Sequence, residues 1–204
     1  MNKLIIGVLA FQGAIEEHIA MTKLAFNEMN INGEVIQVKK ISDLEKINGL
    51  IIPGGESTTI GRIGSINQLF QLIKQRIFEG MPVLGTCAGL ILLAKEIYDR
   101  VVGKIEQPTL GVLDIVVERN AFGRQRESFE AELEIPIIGN KKFKGVFIRA
   151  PAIRKIGPNV EILCKLGKTI VGVIQENIIA TAFHPELTND SRIHQLFIKK
   201  VRLL

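Results

Sequence analysis

Short apolar runs alternate with longer amphipathic segments over the first half of the chain. Leu4–Leu9 (LIIGVL) is apolar and rich in β-branched residues, which is typical of a strand buried on both faces. Residues 14–29 have apolar positions at helical spacing and predict a helix. The alternation continues with strands predicted at 34–38, 49–52 and 83–85, and with helices predicted at 57–78 and 90–98. This order favours a parallel sheet covered by helices on both faces.

The second half has a different pattern, with few helical segments. Six stretches of strand length follow one another, at 112–118, 129–135, 145–149, 162–166, 170–175 and 178–183. Residues 167–168 and 176–177 have the composition of hairpin turns. A last helix is predicted at 190–202, capped by Asn189 or Asp190. We expect some of these strands to extend the main sheet and others to form a small antiparallel side sheet.

Composition limits the class of protein. The chain has 204 residues, 47% of them hydrophobic, which fits one globular α/β domain spanning 1–204. Two cysteines do not make a disulfide framework and fit a reducing cytosol, so a cytoplasmic location is expected. No 18-residue apolar span and no leader-type cleavage pattern are seen, so no membrane partner is expected.

The net charge of +5 raises the question of nucleic acid binding. Lysines cluster at 140–144 and at 198–202, but a solvated turn and a helix end account for them more simply. The chain has one Tyr and no Trp, so it offers no evident platform for base stacking. No nucleic acid partner is therefore expected.

Cys87 is the first candidate for chemistry because of its neighbours. It follows a predicted strand within GTCAG (85–89), which is similar to the nucleophile elbow G-x-S-x-G on a tight strand-to-helix turn. Gly85 and Gly89 permit an unusual backbone there, and the start of the next helix favours thiolate, the reactive form. A cysteine that only fills a core would not need these neighbours. Cys164 lacks them and is interpreted as core packing.

A thiolate nucleophile needs a base and a group that orients the base. His184 ends a predicted strand and is followed two residues later by Glu186. Because alternate residues of an extended chain face the same way, Glu186 is predicted to hold the imidazole of His184. His18 and His194 lie in predicted helices and are interpreted as occupying solvated or partly buried faces. One cysteine, one histidine and one glutamate lack the fourth ligand and the spacing of a zinc site, which disfavours a metal.

The segment PGGES (53–57) follows a predicted strand and precedes a predicted helix. The bare N–H groups of a Gly-Gly turn can accept an oxyanion, and the N–H of Ala88 would be a second donor. Neither phosphate-loop pattern, G-x-x-x-x-G-K-[ST] or G-x-G-x-x-G, occurs, and a plain structural turn remains the alternative. Strand ends of one parallel sheet share an edge, so this turn and Cys87 are expected to lie close together.

Four segments together resemble the class I (triad) glutamine amidotransferases, and more narrowly the glutaminase subunits of pyridoxal 5′-phosphate synthases. They are LIIPGGESTT (50–59), GTCAG (85–89), VERNAFGRQ (117–125) and FHPE (183–186). GVLAFQG (7–13) and FIRAP (147–151) are also similar, so the resemblance covers nearly the whole chain. Phe11 departs from the leucine common in that family, close to the expected partner surface.

The resemblance implies a three-layer, flavodoxin-like α/β fold with a mostly parallel central sheet, and hydrolysis of L-glutamine to glutamate and ammonia. Cys87 would form a glutamyl thioester, His184 would transfer the protons, and Glu186 would orient His184. Gly55 and Ala88 would supply the oxyanion hole. Contacts with glutamine are implied for Gly55, Glu56, Ser57, Arg119, Ile148 and Arg149.

The resemblance also implies a partner, a (β/α)8 synthase subunit that uses the ammonia to build pyridoxal 5′-phosphate, in a dodecameric ring decorated by this chain. It implies no cofactor and no metal for the glutaminase itself. Two other classes stay open at this point: another cysteine hydrolase on a related fold, such as a peptidase or deglycase, and a non-catalytic binding subunit. The first leaves FHPE and GGES unexplained, and the second leaves Cys87, His184 and Glu186 together without a purpose.

Overall fold

The computed structural model describes residues 3–66, 68–99, 101–122 and 128–203; the GRQ part of the 117–125 segment lies outside these ranges. The strands are Leu4–Leu9 (β1), Gly33–Val38 (β2), Gly49–Ile52 (β3), Val83–Thr86 (β4), Ala94–Asp99 (β5), Gly103–Lys104 (β6), Leu113–Arg119 (β7), Ser128–Leu133 (β8), Phe143–Ile148 (β9), Ala152–Ile156 (β10), Glu161–Leu166 (β11), Thr169–Gln175 (β12) and Ile178–Thr181 (β13). The helices are Ile15–Glu28 (α1), Ile41–Leu44 (α2), Ser57–Ile66 (α3), Leu69–Phe78 (α4), Ala88–Leu93 (α5) and Arg192–Arg202 (α6).

The main sheet has a parallel part and a mixed part. β2, β1, β3, β4 and β13 are neighbours in that order, and every pair among them is parallel. Beyond β13, antiparallel pairing adds β12 and then β10 and β7, with β11 also pairing with β12. β5 pairs parallel with β7, and β8 and β9 form a separate antiparallel pair. The expected α/β fold with a parallel central sheet and a small antiparallel side sheet is confirmed.

Apolar side chains pack against both faces of this sheet. On one face the core draws on α3, α4 and α5, including Ile60, Ile73 and Leu90. On the other face it draws on α1, α6 and the β8–β9 pair, including Phe26 and Phe197. The parallel strands are therefore buried on both sides, which explains their almost uninterrupted apolar sequences. Among the described helices, none has both the length and the apolar composition needed to cross a bilayer.

The single helix predicted at 57–78 is wrong, because the structure divides it into α3 and α4. Gln68, directly before α4, has a φ of 56°, which a continuing right-handed helix does not allow. Gly64 explains how the two helices pack, since a Cβ there would overlap the ring of Phe70. The close approach of α4 to α3 thus requires a glycine at position 64. From the sequence alone, this glycine could be interpreted only as a residue that weakens a helix.

The helix predicted at 90–98 is also wrong in its second half. α5 ends at Leu93, and residues 94–99 form β5, which pairs with β7. All six residues of α5 are buried, so no polar face distinguishes helix from strand in this run. The pairing with β7, about twenty residues further along the chain, decides the conformation.

The remaining differences are smaller. β10 was not predicted at all, whereas the hairpin turns at 167–168 and 176–177 are confirmed by antiparallel pairs on either side. The last helix begins at Arg192, and the Ser191 side chain, at the N-cap position, makes no capping hydrogen bond. Of the two predicted caps, Asp190 is the one that serves the helix start: its side chain accepts the Arg192 N–H at 3.2 Å and forms an ion pair with the Arg192 side chain.

Candidate active site

Four loops that follow parallel strands meet at one edge of the sheet. β1, β3, β4 and β13 are neighbours, so their carboxyl ends lie side by side. The loops after them carry Gln12, Gly55, Cys87 and His184 in that order. This is the edge at which open α/β sheets bind ligands. The structure therefore brings together the segments that the sequence singled out one at a time.

Cys87 occupies a strained turn between β4 and α5. Its φ of 50° and ψ of −100° lie outside the ordinary regions for a residue with a side chain. Its N–H donates to the carbonyl of Thr181 at 2.8 Å, and the side chain remains slightly exposed. A Cβ at Gly89 would overlap the carbonyl of Ile52, and one at Gly85 would press on the backbone of Gly89. Both glycines are thus needed for the turn that presents the thiol.

His184 and Glu186 lie beside this turn. The Nδ1 atom of His184 is 2.7 Å from Oε1 of Glu186, and both side chains are buried. The contact does not come from an extended segment, as the sequence suggested, because Pro185–Leu187 is a 3₁₀ turn. That turn folds the carboxylate of Glu186 back under the imidazole, and the His184 N–H donates to the Val146 carbonyl at 2.8 Å.

The protonated form of His184 is favoured by its surroundings. Burial by itself lowers the pKa of an imidazole, but hydrogen bonds and charge interactions with Cys87 and Glu186 outweigh it and raise the pKa of His184 to about 10. A side chain at Gly54 would overlap the His184 ring, so the backbone of the Gly-Gly turn lies directly against it. A protonated imidazole beside a cysteine sulfur is an arrangement that activates a nucleophile.

The Gly-Gly turn is held from three directions. The Gly54 N–H donates to Oγ1 of Thr86 at 3.1 Å, and the Gly54 carbonyl accepts the N–H of Ala14 at 3.1 Å. Gly13, with a φ of 113°, lies so close to that carbonyl that a Cβ would overlap it. Within the described part of the chain, no hydrogen bond uses the N–H of Gly55 or that of Ala88. Both donors are thus available to a ligand oxygen.

A cleft of about 310 Å³ lies over these groups. Its lining residues are Gln12, Gly55, Glu56, Ser57, Cys87, Ala88, Ile91, Arg119, Asn120, Ile148, Arg149 and His184. Every site residue predicted from the sequence is in this lining except Glu186, which lies behind His184. The volume is within the range for small-molecule sites. Among the described residues, no group of three or more His, Cys, Asp or Glu side chains is arranged to hold a metal.

Gln12, Ile91 and Asn120 were not identified as site residues from the sequence. Gln12 could have been found, because it follows the carboxyl end of a strand predicted to be parallel and buried. Its Oε1 accepts the N–H of Glu56 at 2.7 Å and so fixes the start of α3. Ile91 and Asn120 have no comparable signal in the sequence.

Glu56 has a local role as well as a place in the cleft. Its carboxylate accepts the N–H of Thr58 at 3.1 Å and the N–H and hydroxyl of Thr59, each at 2.7 Å. Burial by itself raises the pKa of Glu56, but these hydrogen bonds outweigh it and lower the pKa. The carboxylate thus satisfies free N–H groups at the start of α3, as acidic residues commonly do at helix N-termini.

The two arginines of the cleft differ in their surroundings. Arg119 is bound to its neighbours, with Oε1 of Gln107 at 3.2 Å and a carboxylate oxygen of Glu56 at 3.7 Å. Gln107 also donates to the hydroxyl of Ser57 at 3.2 Å, so it connects Arg119 to Ser57, another lining residue of the cleft. Arg149 is exposed, has a φ of 41°, and makes no side-chain hydrogen bond or ion pair within the described residues. Of the two arginines, Arg149 is therefore the one whose guanidinium is available to an anionic ligand within the described residues.

The interpretation of His18 and His194 as solvated or partly buried residues is wrong, because both are completely buried. Nδ1 of His18 is 3.0 Å from Nε2 of His194, and Nε2 of His18 is 3.0 Å from Oγ1 of Thr86. Burial lowers the pKa of His194 to about 3. Burial, followed by electrostatic interaction with the His194 and His184 rings, lowers the pKa of His18 well below its usual value. Both rings are therefore neutral in the folded protein at neutral pH.

Because His18 and His194 are neutral in the folded protein, we expect a marked loss of stability in mild acid. Below about pH 6.5 the unfolded chain binds a proton on each ring that the folded chain does not, so stability is present above that pH and is lost as the pH falls. The slope is about 1.4 kcal/mol per pH unit for each histidine, and we expect the free energy of unfolding to fall by about 2 kcal/mol from pH 6 to pH 5. Urea unfolding at the two pH values measures this. His194→Gln should remove about half of the difference, and an unchanged difference would contradict the assignment.

Known proteins are similar to this chain in sequence over nearly its whole length. The sequence profile of the SNO glutamine amidotransferase family matches residues 8–203. The pyridoxal 5′-phosphate synthase subunit PdxT of Staphylothermus marinus is 49% identical over 200 residues, which cover 96% of this chain and 98% of the relative. A protein of the same name from Methanosarcina mazei is 50% identical over 196 residues, covering 96% and 98%.

Solved structures agree with the sequence relatives. A crystal structure described as a glutamine amidotransferase superposes with a TM-score of 0.84 at 46% identity, over 97% of this chain and 98% of that one. A glutamine amidotransferase from Thermotoga maritima has a TM-score of 0.64 at 16% identity, over 100% and 86%, and shows the fold alone. With a family match over nearly the entire sequence, this chain belongs to the SNO glutamine amidotransferase family.

Proposed function

We propose that this chain is the glutaminase subunit of a pyridoxal 5′-phosphate synthase and that residues 1–204 act as one glutaminase domain. The observation that carries the proposal is the cleft in which a strained Cys87 lies beside the His184–Glu186 pair. The relatives named pyridoxal 5′-phosphate synthase subunit PdxT support the narrower assignment. A peptidase or deglycase is less well supported, since the cleft carries a free cation and polar groups suited to an amino acid.

In the proposed reaction, the thiolate of Cys87 attacks the side-chain amide carbon of glutamine and forms a C–S bond. His184, as imidazolium, protonates the amide nitrogen, the C–N bond breaks, and ammonia leaves. His184 then removes a proton from water, which attacks the thioester and releases glutamate and the thiolate. Glu186 keeps the imidazole oriented so that its other nitrogen faces the sulfur.

The two unused N–H groups suit the charge that develops during the attack. When the thiolate adds to the amide, the carbonyl oxygen becomes negative and requires donors. We assign the N–H groups of Gly55 and Ala88 to this oxyanion, since neither has a hydrogen-bond partner within the described residues. Removing one such donor typically costs about 3 kcal/mol of transition-state stabilisation.

The remaining lining residues suit the zwitterionic end of glutamine. The guanidinium of Arg149 has no partner among the described residues, and we assign it to the α-carboxylate of the substrate, because an arginine fork matches a carboxylate. Arg119 would act indirectly: it contacts Glu56, and its partner Gln107 donates to Ser57, so it would help to fix the positions of these two lining residues. Ile148 lies next to the nucleophile, with its carbonyl 3.9 Å from Sγ of Cys87, and would border the aliphatic part of the substrate.

A glutaminase subunit of a synthase has a partner that consumes the ammonia. We propose that this partner is a (β/α)8 synthase subunit, that several copies of this chain decorate a dodecameric ring of it, and that the complex is cytoplasmic. The name of the relatives, a synthase subunit, supports the partner.

Ammonia release from L-glutamine, measured with and without the synthase subunit of the same organism, tests the proposal. We expect glutamine-dependent ammonia and glutamate in equal amounts, and a higher rate when the synthase subunit is present. Asparagine should be a poor substrate, because its shorter side chain does not reach the sulfur while the α-carboxylate is held. Ammonia from neither amino acid in the presence of the partner would refute the assignment.

A further inference from the structure

The carboxylate of Glu186 lies between two histidines, and only one of them belongs to the proposed triad. Oε1 faces Nδ1 of His184 at 2.7 Å, and Oε2 lies 3.3 Å from Nε2 of His18. Among the described residues Oε2 has no hydrogen bond of regular geometry, so the contact with His18 is what the structure gives it. His18 and Glu186 have no exposed side-chain surface. A buried carboxylate oxygen of this kind requires a donor.

The position of the proton on His18 follows from its neighbours. If Nδ1 carried it, His18 would donate to Nε2 of His194, and the proton of His194 would be on its Nδ1 atom, which has no partner among the described residues. The lone pair of His18 Nε2 would then face the carboxylate. If Nε2 carries the proton, His18 faces Oγ1 of Thr86 at 3.0 Å and Oε2 of Glu186 at 3.3 Å as a donor, and Nε2–H of His194 donates to Nδ1 of His18. The first arrangement leaves an unpaired donor on His194 and a repulsive contact between Nε2 of His18 and the carboxylate. The second leaves an unpaired acceptor on His194 and one Nε2 proton shared between Oγ1 of Thr86 and Oε2 of Glu186.

The same ring also reaches the Gly-Gly turn. Nε2 of His18 lies 3.0 Å from Oγ1 of Thr86, and that hydroxyl oxygen accepts the N–H of Gly54 at 3.1 Å. Thr86 directly precedes Cys87. The buried side chain of His18 therefore contacts residues that hold the Cys87 turn, the Gly-Gly turn and the His184–Glu186 pair. A histidine that only filled space between α1 and α6 would need none of these contacts.

We propose that His18 is a positioning residue for the glutaminase reaction, in which Nε2–H holds the second oxygen of Glu186 and thereby fixes the orientation of His184. His194 supports it by donating to Nδ1 of His18 and so selecting its tautomer. The effect on rate rests on the proposed function, whereas the hydrogen-bond arrangement does not. Outer partners that orient metal-bound histidines typically contribute 10- to 100-fold, and we expect an effect of that order for His18.

The tautomer can be read directly in the wild-type chain. The protein contains only three histidines, so ¹⁵N labelling of histidine gives three ring systems to assign. Long-range ¹⁵N–¹H correlation spectra should show His18 and His194 as neutral Nε2–H tautomers at neutral pH. A protonated Nδ1 in neutral His18 would overturn the proposal, whatever the enzyme activity is.

Two substitutions distinguish a His18 that orients Glu186 from one that only occupies space between α1 and α6. The amide nitrogen of His18→Gln is the same number of bonds from Cα as Nε2, whereas that of His18→Asn matches Nδ1 and cannot reach Glu186. With glutamine as substrate, we expect His18→Asn to lower kcat by about 10- to 100-fold with KM changed less than about twofold, and His18→Gln to recover most of the loss. Rates are referred to the folded fraction, measured by thermal unfolding.

Alkylation of Cys87 by iodoacetamide gives a second measurement that needs no glutamine. The rate constant for alkylation of Cys87 should fall in His18→Asn and recover in His18→Gln, because the reactivity of the sulfur depends on an oriented His184. Equal alkylation and equal kcat in the two folded variants would overturn the proposal. If the alkylation and tautomer results hold while no variant and no wild-type protein releases ammonia, the proposed function fails and the positioning role of His18 remains.

Discussion

Replacing Cys87 with alanine is expected to abolish glutamine hydrolysis, with kcat at least about 10⁴-fold below that of the wild type. Among the described residues, the turn at the end of β4 presents only the sulfur of Cys87 to His184, so no other group takes its place when it is removed. Alanine fits the turn without new contacts and removes one atom. The binding of glutamine should persist, so isothermal titration with the substrate and an ammonia assay on the same preparation separate the two effects.

Cys164 is the matched control, since it is the other cysteine of the chain and is also buried. Burial raises the pKa of its thiol to about 12, so it has almost no thiolate at neutral pH, and it packs against Gly172 in the sheet. Cys164→Ala should keep kcat within about twofold and reduce stability by roughly 1 kcal/mol through a small cavity. Loss of activity in Cys164→Ala with retention in Cys87→Ala would reverse the assignment of the nucleophile.

The parts of the site that the sequence predicted are those fixed by local geometry. The elbow around Cys87 needs small residues at fixed offsets, and the glycines at 85 and 89 show this requirement directly in the sequence. The parallel strands are buried on both faces, and their unbroken apolar runs made β1 and β3 predictable to the residue. The order of strand ends then brought Gly55 and Cys87 to one edge.

What the sequence did not predict depends on contacts between distant segments. His18 and His194 are 176 residues apart, and each is on a helix whose partner helix cannot be inferred from periodicity. A buried histidine pair resembles two polar helix positions until the packing of α1 against α6 is known. Likewise, β5 is a strand because it pairs with β7. The apolar run that precedes it, residues 88–93, is equally compatible with a helix that continues through 94–99.

Glu186→Gln is expected to lower kcat by roughly 10²- to 10⁴-fold although the two side chains have the same shape. The carboxylate has two acceptor oxygens, one facing Nδ1 of His184 and the other facing Nε2 of His18. An amide has one acceptor and one donor, so one of the two rings must give up its proton or lose its partner. If His184 changes tautomer, the nitrogen that faces Cys87 carries the proton and cannot act as a base.

The charge of Glu186 adds to this effect, because it helps to raise the pKa of His184, which should therefore fall in the variant. Steady-state kinetics with glutamine and ¹⁵N spectra of the His184 ring measure both consequences in one protein. Glu132→Gln, on the exposed face of β8, removes the same charge outside the cleft and should leave kcat within about twofold. Because Glu186 lies behind His184 and outside the cleft lining, KM should change much less than kcat; a folded Glu186→Gln protein with wild-type kcat would show that the orientation of His184 does not depend on the carboxylate.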